Sequence, residues 1–308
     1  MNAAVRAVVR TATKHGISVV AYLDGYSGLV EGRMRELDDR AVGSQIQRGG
    51  TFIGTSRCAE FREPSGRARA AAQLRADGSE GLVVIGGDGS FRGALLLQEE
   101  HGVAVTGLPG TIDNDVFGTD ESIGFDTALN TAVEAIDRIR DTSESTGTLF
   151  FVEVMGRGSG ALAMHVALAA GAAGILVPEE EHEMERVAGR IRSSISRGKR
   201  SHIIVVAEGE AAGGAFTVAE SMAPLLGCPH RVAILGHVQR GGRPTARDRI
   251  IASMMGAQAV EALAAGRTGV MAGMSRGAVV EVPLTDVVAY AHAAANLDVL
   301  RLAQSLAG

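Results

Sequence analysis

Short apolar runs without internal alternation recur along the chain: SVVAYL (18–23), GLVVIG (81–86), VAVTGL (103–108), TLFFVEV (148–154), GILVP (174–178), HIIVVAE (202–208) and VAILG (232–236). A strand with one wet face alternates apolar and polar residues, so continuous runs predict strands covered on both faces. Between them, apolar positions return at helical spacing near 67–77, 90–99, 123–140, 160–170, 184–196, 216–226 and 245–264. The opening MNAAVRAVVRTATKHG predicts one more amphipathic helix. The stretch GALAMHVALAAGAAGILVP (160–178) predicts a buried helix followed by a strand, since it is rich in Ala and Gly and interrupted by His165. Alternating strands and helices predict an α/β fold with mainly parallel sheets flanked by helices. The elements outnumber those of one doubly wound unit. Two Rossmann-like lobes are therefore expected, with the active site in the cleft between them.

Composition narrows the picture without deciding it. The 308 residues are 46% hydrophobic and 21% charged, ordinary for a globular protein long enough for two lobes. Aromatics make up 4%, Trp is absent and Gly numbers 41, which points to many tight turns and close backbone approaches. A formal charge of -5 and no basic block argue against nucleic acid as a partner. Cys58 and Cys228 are too few to staple a fold of this size and read as free thiols. No cleavable leader pattern or membrane span is legible, and a cytoplasmic location is expected.

The chemistry-bearing residues fall at the carboxyl ends of the expected strands, where α/β folds collect ligands. GGDGS follows 81–86, GTIDND (110–115) follows 103–108, MGR (155–157) follows 148–154, Glu208 closes 202–208, and His237 follows 232–236. Glycines before a helix start let backbone and free N–H groups approach an anion. Asp88 would repel a phosphate there unless a cation stands between them, and Mg²⁺ bridging carboxylate and phosphate oxygens resolves this. Alone, GGDGS reads equally as a strand–turn–helix junction with Asp88 as N-cap. In GTIDND, the Thr111 hydroxyl can donate to a moving phosphoryl group. One of Asp113 and Asp115 can take a proton from an attacking alcohol while the other holds a metal. Asp and Asn in such a run also build turns. Arg157, Arg231, His237 and Arg240 suit a phosphate monoester, because guanidinium grips oxyanions through two parallel hydrogen bonds. The remaining histidines show no convergent partners.

GGTFIGTSR (49–57), VVIGGDGS, GLPGTIDND, IGFDTALNTAVEAIDRIRDT (123–142), VEVMGR and GHVQRGG, in this order and spacing, resemble the ATP-dependent 6-phosphofructokinases of the bacterial type. The resemblance covers nearly the whole chain. GGDGS with PGTIDND is very specific, although GGDG by itself also occurs in lipid and NAD kinases. The resemblance implies transfer of the ATP γ-phosphoryl group to the 1-hydroxyl of fructose 6-phosphate, with Mg²⁺ as cofactor. Asp113 would be the base, with Asp88 and Asp115 serving the metal. Thr111, Arg57 and Arg157 would stabilise charge on the moving group. Tyr26, Arg57, Cys58, Arg62, Gly87, Gly89, Ser90 and Gly93 would line the nucleotide. Met155, Gly156, Glu208, His237 and Arg240 would hold the sugar phosphate beside Thr111, Asp113 and Arg157. Arg231 would reach it from a neighbouring subunit, which implies a homo-oligomer, expected to be a tetramer. The larger, ATP-binding lobe would comprise 1–124 plus 239–289, and the smaller, sugar-phosphate-binding lobe 125–238 plus 290–308.

Some positions depart from the family pattern. Pyrophosphate-using relatives carry Asp and Lys where this chain has Gly89 and Gly110, so ATP is the expected donor. Family chains begin with a strand and a GGDAPG loop before MNAAVRAVVR, on which this chain opens. A start placed downstream of the true one is the favoured explanation; if the chain does begin there, weak ATP affinity and poor stability are expected. Thr148 replaces an Arg that contacts sugar phosphate from the next subunit, which predicts a raised KM. Arg6, Arg10, Arg140, Arg197 and Lys199 match or roughly match effector-binding positions, and read equally as solvated helix faces. Asp39, Ser44 and Ala173 stand where the pattern has Arg, Asp and Glu, so weakened effector control is expected. The alternative readings are a pyrophosphate-dependent or other sugar-phosphate kinase, or a non-catalytic nucleotide-binding homologue.

Overall fold

The computed structural model describes residues 1–180, 184–209, 213–290 and 297–307. In chain order the first elements are α1 (Asn2–Lys14), β1 (Val19–Tyr22), α2 (Tyr26–Glu31), β2 (Met34–Leu37), α3 (Pro64–Ala76), β3 (Leu82–Gly86), α4 (Asp88–His101) and β4 (Val105–Pro109). Then come α5 (Phe125–Thr146), β5 (Leu149–Val154), α6 (Ala161–Ala169), β6 (Gly174–Leu176), α7 (Met184–Ser196), β7 (His202–Ala207), α8 (Ala215–Leu226) and β8 (His230–Ile234). The chain closes with α9 (Ala246–Ala264), β9 (Val270–Ser275), β10 (Ala278–Pro283), α10 (Leu284–Ala289) and α11 (Leu297–Leu306). Short 3₁₀ turns span Glu60–Arg62 and Gly236–Arg240.

Contacts divide the chain into two units. The first is Met1–Thr111, Val116–Gly124 and Gly242–Ala291; the second is Ile112–Asp115, Phe125–Gly241 and His292–Gly308. The sequence had assigned all of 1–124 to one lobe. The structure instead groups Ile112–Asp115 with the second unit, and the later boundary falls after Gly241.

In the first unit the sheet order is β10-β9-β4-β3, parallel across β3, β4 and β9 and antiparallel at β10. Val84 and Val105 pack with Phe91, Ala94, Met271 and Leu284 on one face, while Val83, Ile85 and Leu108 pack with α1 and α9 on the other. The α1–α9 approach depends on Gly256, where a Cβ would lie 2.9 Å from the Ala4 carbonyl oxygen. β1 does not enter this sheet as the sequence implied. It pairs antiparallel with β2, a strand whose exposed MRE gave no apolar signal. β3 is an edge strand, paired with β4.

The second unit's sheet is fully parallel, in the order β6-β7-β5-β8. Every residue of β7 is buried: Ile203, Val205 and Ala207 meet α5 and α6, and Ile204 and Val206 meet α7 and α8. This two-sided burial is why its sequence reads as an unbroken apolar run. The predicted strand at 232–236 lies two residues earlier, and the tail of that run folds into the 236–240 turn.

One ion pair, buried on its arginine side and open to solvent on its glutamate side, ties the first unit's helices. Arg67 of α3 is 4% exposed and reaches Glu100 of α4 through Nε and Nη2 at 2.7 and 2.6 Å. Its Nη1 also donates to the carbonyls of Phe61 and Arg62, at 3.0 and 2.7 Å. Hydrogen bonding from Arg67 holds the Glu100 carboxyl below the usual glutamate range. A folded-state pKa below the unfolded value means stability that is complete above the unfolded pKa and lost as pH falls through the folded one. Glu100→Gln should therefore lower the melting temperature at pH 7 and flatten its decline below about pH 4. An unchanged acid limb in thermal melts would contradict this.

Candidate active site

β3 and β4 run in register from Leu82–Val105 to Gly86–Pro109, which brings their carboxyl-end loops side by side. Gly110 N–H donates to the Gly86 carbonyl at 2.9 Å, extending the ladder past both strands. A Cβ on Gly87 would sit 3.7 Å from Thr111 Cβ, so Thr111 lies against the GGDGS loop. A Cβ on Gly86 would come within 2.4 Å of the Ser90 hydroxyl, so glycine is required at that turn. The helix starts at Asp88, with Gly87 as N-cap, two residues earlier than the sequence suggested and without Asp88 in the capping role. Asp88 thus occupies the first turn of α4, where the helix dipole favours a carboxylate. At Gly89 a Cβ meets nothing within 4 Å, leaving open space over that turn.

Tyr26 donates its hydroxyl to the Ser90 carbonyl at 2.6 Å and stacks on Phe61 with ring centroids 3.8 Å apart and planes 7° from parallel. Burial pushes its phenol pKa far up, so it stays a neutral donor. Gly93 makes room for the pair: a Cβ there would stand 2.9 Å from Phe61 Cε1 and 3.3 Å from Tyr26 Cε2. Cys58 packs against the same cluster. Tyr26, Cys58, Ser90 and Gly93 are thus brought together at the start of α4, whereas Arg57 and Arg62 stay exposed on the neighbouring segment. Phe61 and Arg67 were not singled out from sequence, yet they hold this wall in place.

In the second unit, Asp113 is 6% exposed and its Oδ2 stands 4.0 Å from Arg157 Nε. Asn114, between the two aspartates, has φ +49°, a left-handed turn that Asn adopts more readily than most residues. Arg157, at φ +53°, donates its N–H to Glu208 Oε2 at 3.3 Å. A Cβ on Gly209 would fall 1.6 Å from the Arg157 carbonyl oxygen, so the two loops touch backbone to backbone. The buried Gln239 joins them to the 236–240 turn. Its Oε1 accepts from Met155 N–H at 3.4 Å and its Nε2 donates to Gly236 O at 3.1 Å. Sequence reasoning passed over Gln239, although it stands between His237 and Arg240. Met155, Gly156, Arg157, Glu208, His237 and Arg240 therefore gather at the carboxyl ends of β5, β7 and β8.

Arg231 lies apart from that group. It pairs with Phe150, four residues before Val154, so it starts roughly 13 Å down the strand at 3.3 Å per residue, and it is exposed. Thr148 precedes β5 at that same end. Among the proposed effector positions, Arg10 Nε stands 4.0 Å from Asp39 Oδ1.

Asp88 belongs to the first unit and Asp115 to the second. Among the described residues no group of three or more His, Cys, Asp or Glu is placed to hold a metal. Mg²⁺ commonly takes one or two carboxylates and completes its octahedron with water and phosphate oxygens. Asp88, in a helix first turn beside the open space at Gly89, fits an ion that arrives with a nucleotide. Among the described residues no helix is long and apolar enough to cross a membrane.

A sequence profile of the phosphofructokinase family matches residues 1–263. The ATP-dependent 6-phosphofructokinase 1 of Thermus thermophilus is 54% identical over 307 residues, covering 100% of this chain and 95% of the relative. Among solved structures, phosphofructokinase from Saccharomyces cerevisiae superposes with a TM-score of 0.91 at 35% identity and covers 100% of this chain. This chain spans 46% of that yeast chain, about half its length. A pyrophosphate-dependent phosphofructokinase from Marinobacter aquaeolei gives a TM-score of 0.80 at 26% identity, covering 100% of this chain and 88% of its own.

The Gly209–Arg157 contact yields a direct test. Gly209→Ala should displace the Arg157 loop and weaken sugar-phosphate binding, read by calorimetry, roughly tenfold or more while nucleotide binding stays within about threefold. Equal sugar-phosphate affinity in the variant would show that the contact is immaterial.

Proposed function

Because the chain belongs to the phosphofructokinase family, we propose that it transfers the γ-phosphoryl group of ATP to the 1-hydroxyl of fructose 6-phosphate. The products are fructose 1,6-bisphosphate and ADP, and the step belongs to glycolysis in the cytoplasm. The observation that carries this reading is the GTIDND segment. Thr111 lies against the GGDGS loop, and two residues on, a nearly buried Asp113 stands beside Arg157.

Asp113 takes the proton from the 1-hydroxyl as that oxygen bonds to the γ-phosphorus. The bond from the γ-phosphorus to the bridging oxygen breaks, and ADP leaves with the electron pair. General-base help of this kind typically contributes 10²- to 10⁴-fold. The Thr111 hydroxyl and the guanidinium groups of Arg57 and Arg157 stabilise charge on the moving group. Asp88 and Asp115, with the nucleotide phosphates, would hold Mg²⁺, which would supply charge neutralisation. Tyr26, Cys58, Arg62, Gly87, Gly89, Ser90 and Gly93 line the nucleotide. Met155, Gly156, Glu208, His237 and Arg240 hold the sugar phosphate. Arg231 serves a neighbouring subunit's site, in a tetramer with shared sites. Its place at the far end of the strands supports that assignment.

Fold likeness alone does not choose the donor, since a pyrophosphate-dependent enzyme shares it. Two glycines support ATP. The space at Gly89 is open to a nucleotide where a carboxylate would intrude. At Gly110 a side chain would begin 3.0 Å from Ile85 Cγ2, which disfavours Lys. The Arg10–Asp39 proximity, 4.0 Å, supports weak effector control, because Asp39 offsets a charge that would hold an anion.

A coupled assay for fructose 1,6-bisphosphate, run with ATP and then with pyrophosphate, tests the reading. Product is expected with ATP alone, with ADP leaving the fructose 6-phosphate curve nearly unmoved and Thr148→Arg lowering its KM. Absence of product with ATP would contradict the proposal, and product from pyrophosphate alone would reverse the donor.

A further inference from the structure

The chain leaves the first unit after Thr111, makes the four-residue excursion Ile112–Asp115, and returns at Val116. Three consecutive residues of the returning segment are pinned. Ser122, with no exposed surface, donates its hydroxyl to the Thr111 carbonyl at 2.7 Å. Ile123 N–H donates to the Pro109 carbonyl at 2.8 Å, and Gly124 N–H to Oδ1 of the buried Asp248 at 2.8 Å. The two backbone N–H bonds do not depend on residue type at 123 and 124. The Ser122 bond does, because only its side chain supplies the donor.

We infer that Ser122 is a positioning residue for Asp113, acting through the Thr111 carbonyl. The C=O of Thr111 and the N of Ile112 share one rigid peptide plane, so orienting that oxygen places the Ile112 Cα and narrows the path by which the chain reaches Asp113. The bond is also local to the first unit, on the carbonyl of the residue whose side chain lies against GGDGS. The hydroxyl thus bears on the peptide that joins Thr111, whose side chain lies against GGDGS, to the residue before the base. The inference rests on the reading of Asp113 as proton acceptor. It adds a residue that never touches substrate.

The test compares wild type, Ser122→Ala, Ser122→Thr and Ser122→Cys, following kcat, both KM values, the pH dependence of kcat and thermal melting. Misplacing a reacting group by about 1 Å can cost roughly 10²-fold. Ser122→Ala is expected to lose roughly 10- to 100-fold in kcat and to show an altered pH profile. The KM for ATP should stay within about threefold and the melting temperature within a few degrees. Thr retains the hydroxyl and should restore most of kcat; Cys, a weaker donor of similar size, should fall between. If the Ala variant does not accumulate, the Cys variant carries the test alone, and wild-type kcat there overturns the inference. So does a Ser122→Ala kcat within about twofold of wild type. So does a parallel loss of kcat, both affinities and thermal stability that Thr fails to rescue, which marks a purely structural role. A wild-type chain without turnover on ATP and fructose 6-phosphate would sink the functional reading, and this inference with it.

Discussion

The turn that carries the carboxylates depends on one constraint: the peptide planes at Pro109 to Thr111 must leave the end of a fully buried strand in a fixed direction. β4 has no exposed residue, so its course is set by packing on both faces. Beyond it the Gly110–Gly86 bond extends the ladder, and Ser122 and Ile123 clamp the next carbonyls. An apolar strand therefore ends in an ordered polar turn. In the proposed reading, that order lets a short run of Thr, Asp, Asn and Asp act as chemical groups rather than as a solvated loop.

Each unit assembles its strand-end loops by the same device. Parallel strands end together, glycines allow the backbones of adjacent loops to touch, and a few polar side chains lock the loops. In the first unit the locks are Tyr26 on Ser90 and Arg67 on the 60–62 turn. In the second they are Glu208 on Arg157 and Gln239 on Met155. The residues that would meet substrate, such as Arg57, His237 and Arg240, remain exposed. Rigidity resides one layer beneath them, which keeps the cost of ordering long side chains off the scaffold.

Strands buried on both faces were legible because their sequences carry no other plausible role; β3, β4, β5, β6 and β7 all lie within or next to the predicted runs. β2 was invisible because its exposed MRE has no apolar pattern. β9 was missed because VMAGMS is poor in β-branched residues, although four of its six positions are buried by tertiary packing. β1 was seen, but its partner was not: period and length do not encode which strand lies beside it. At the site, the strand-end motifs stood out in the sequence because acids, arginines and glycines recur directly after successive apolar runs. Ser122, Gln239, Arg67 and Phe61 were not. Their function lies in a contact distant in sequence, as in the 2.7 Å bond across eleven residues from Ser122 to Thr111, and no local pattern announces it.

The central claim is that Asp113 acts as the proton acceptor in phosphoryl transfer, and Asp113→Ser addresses it most directly. Ser removes the carboxylate while keeping a small polar group. The account predicts that kcat falls by roughly 10²- to 10⁴-fold while the chain still binds ATP and fructose 6-phosphate and melts near the wild-type temperature. Turnover retained within a few-fold of wild type would contradict it.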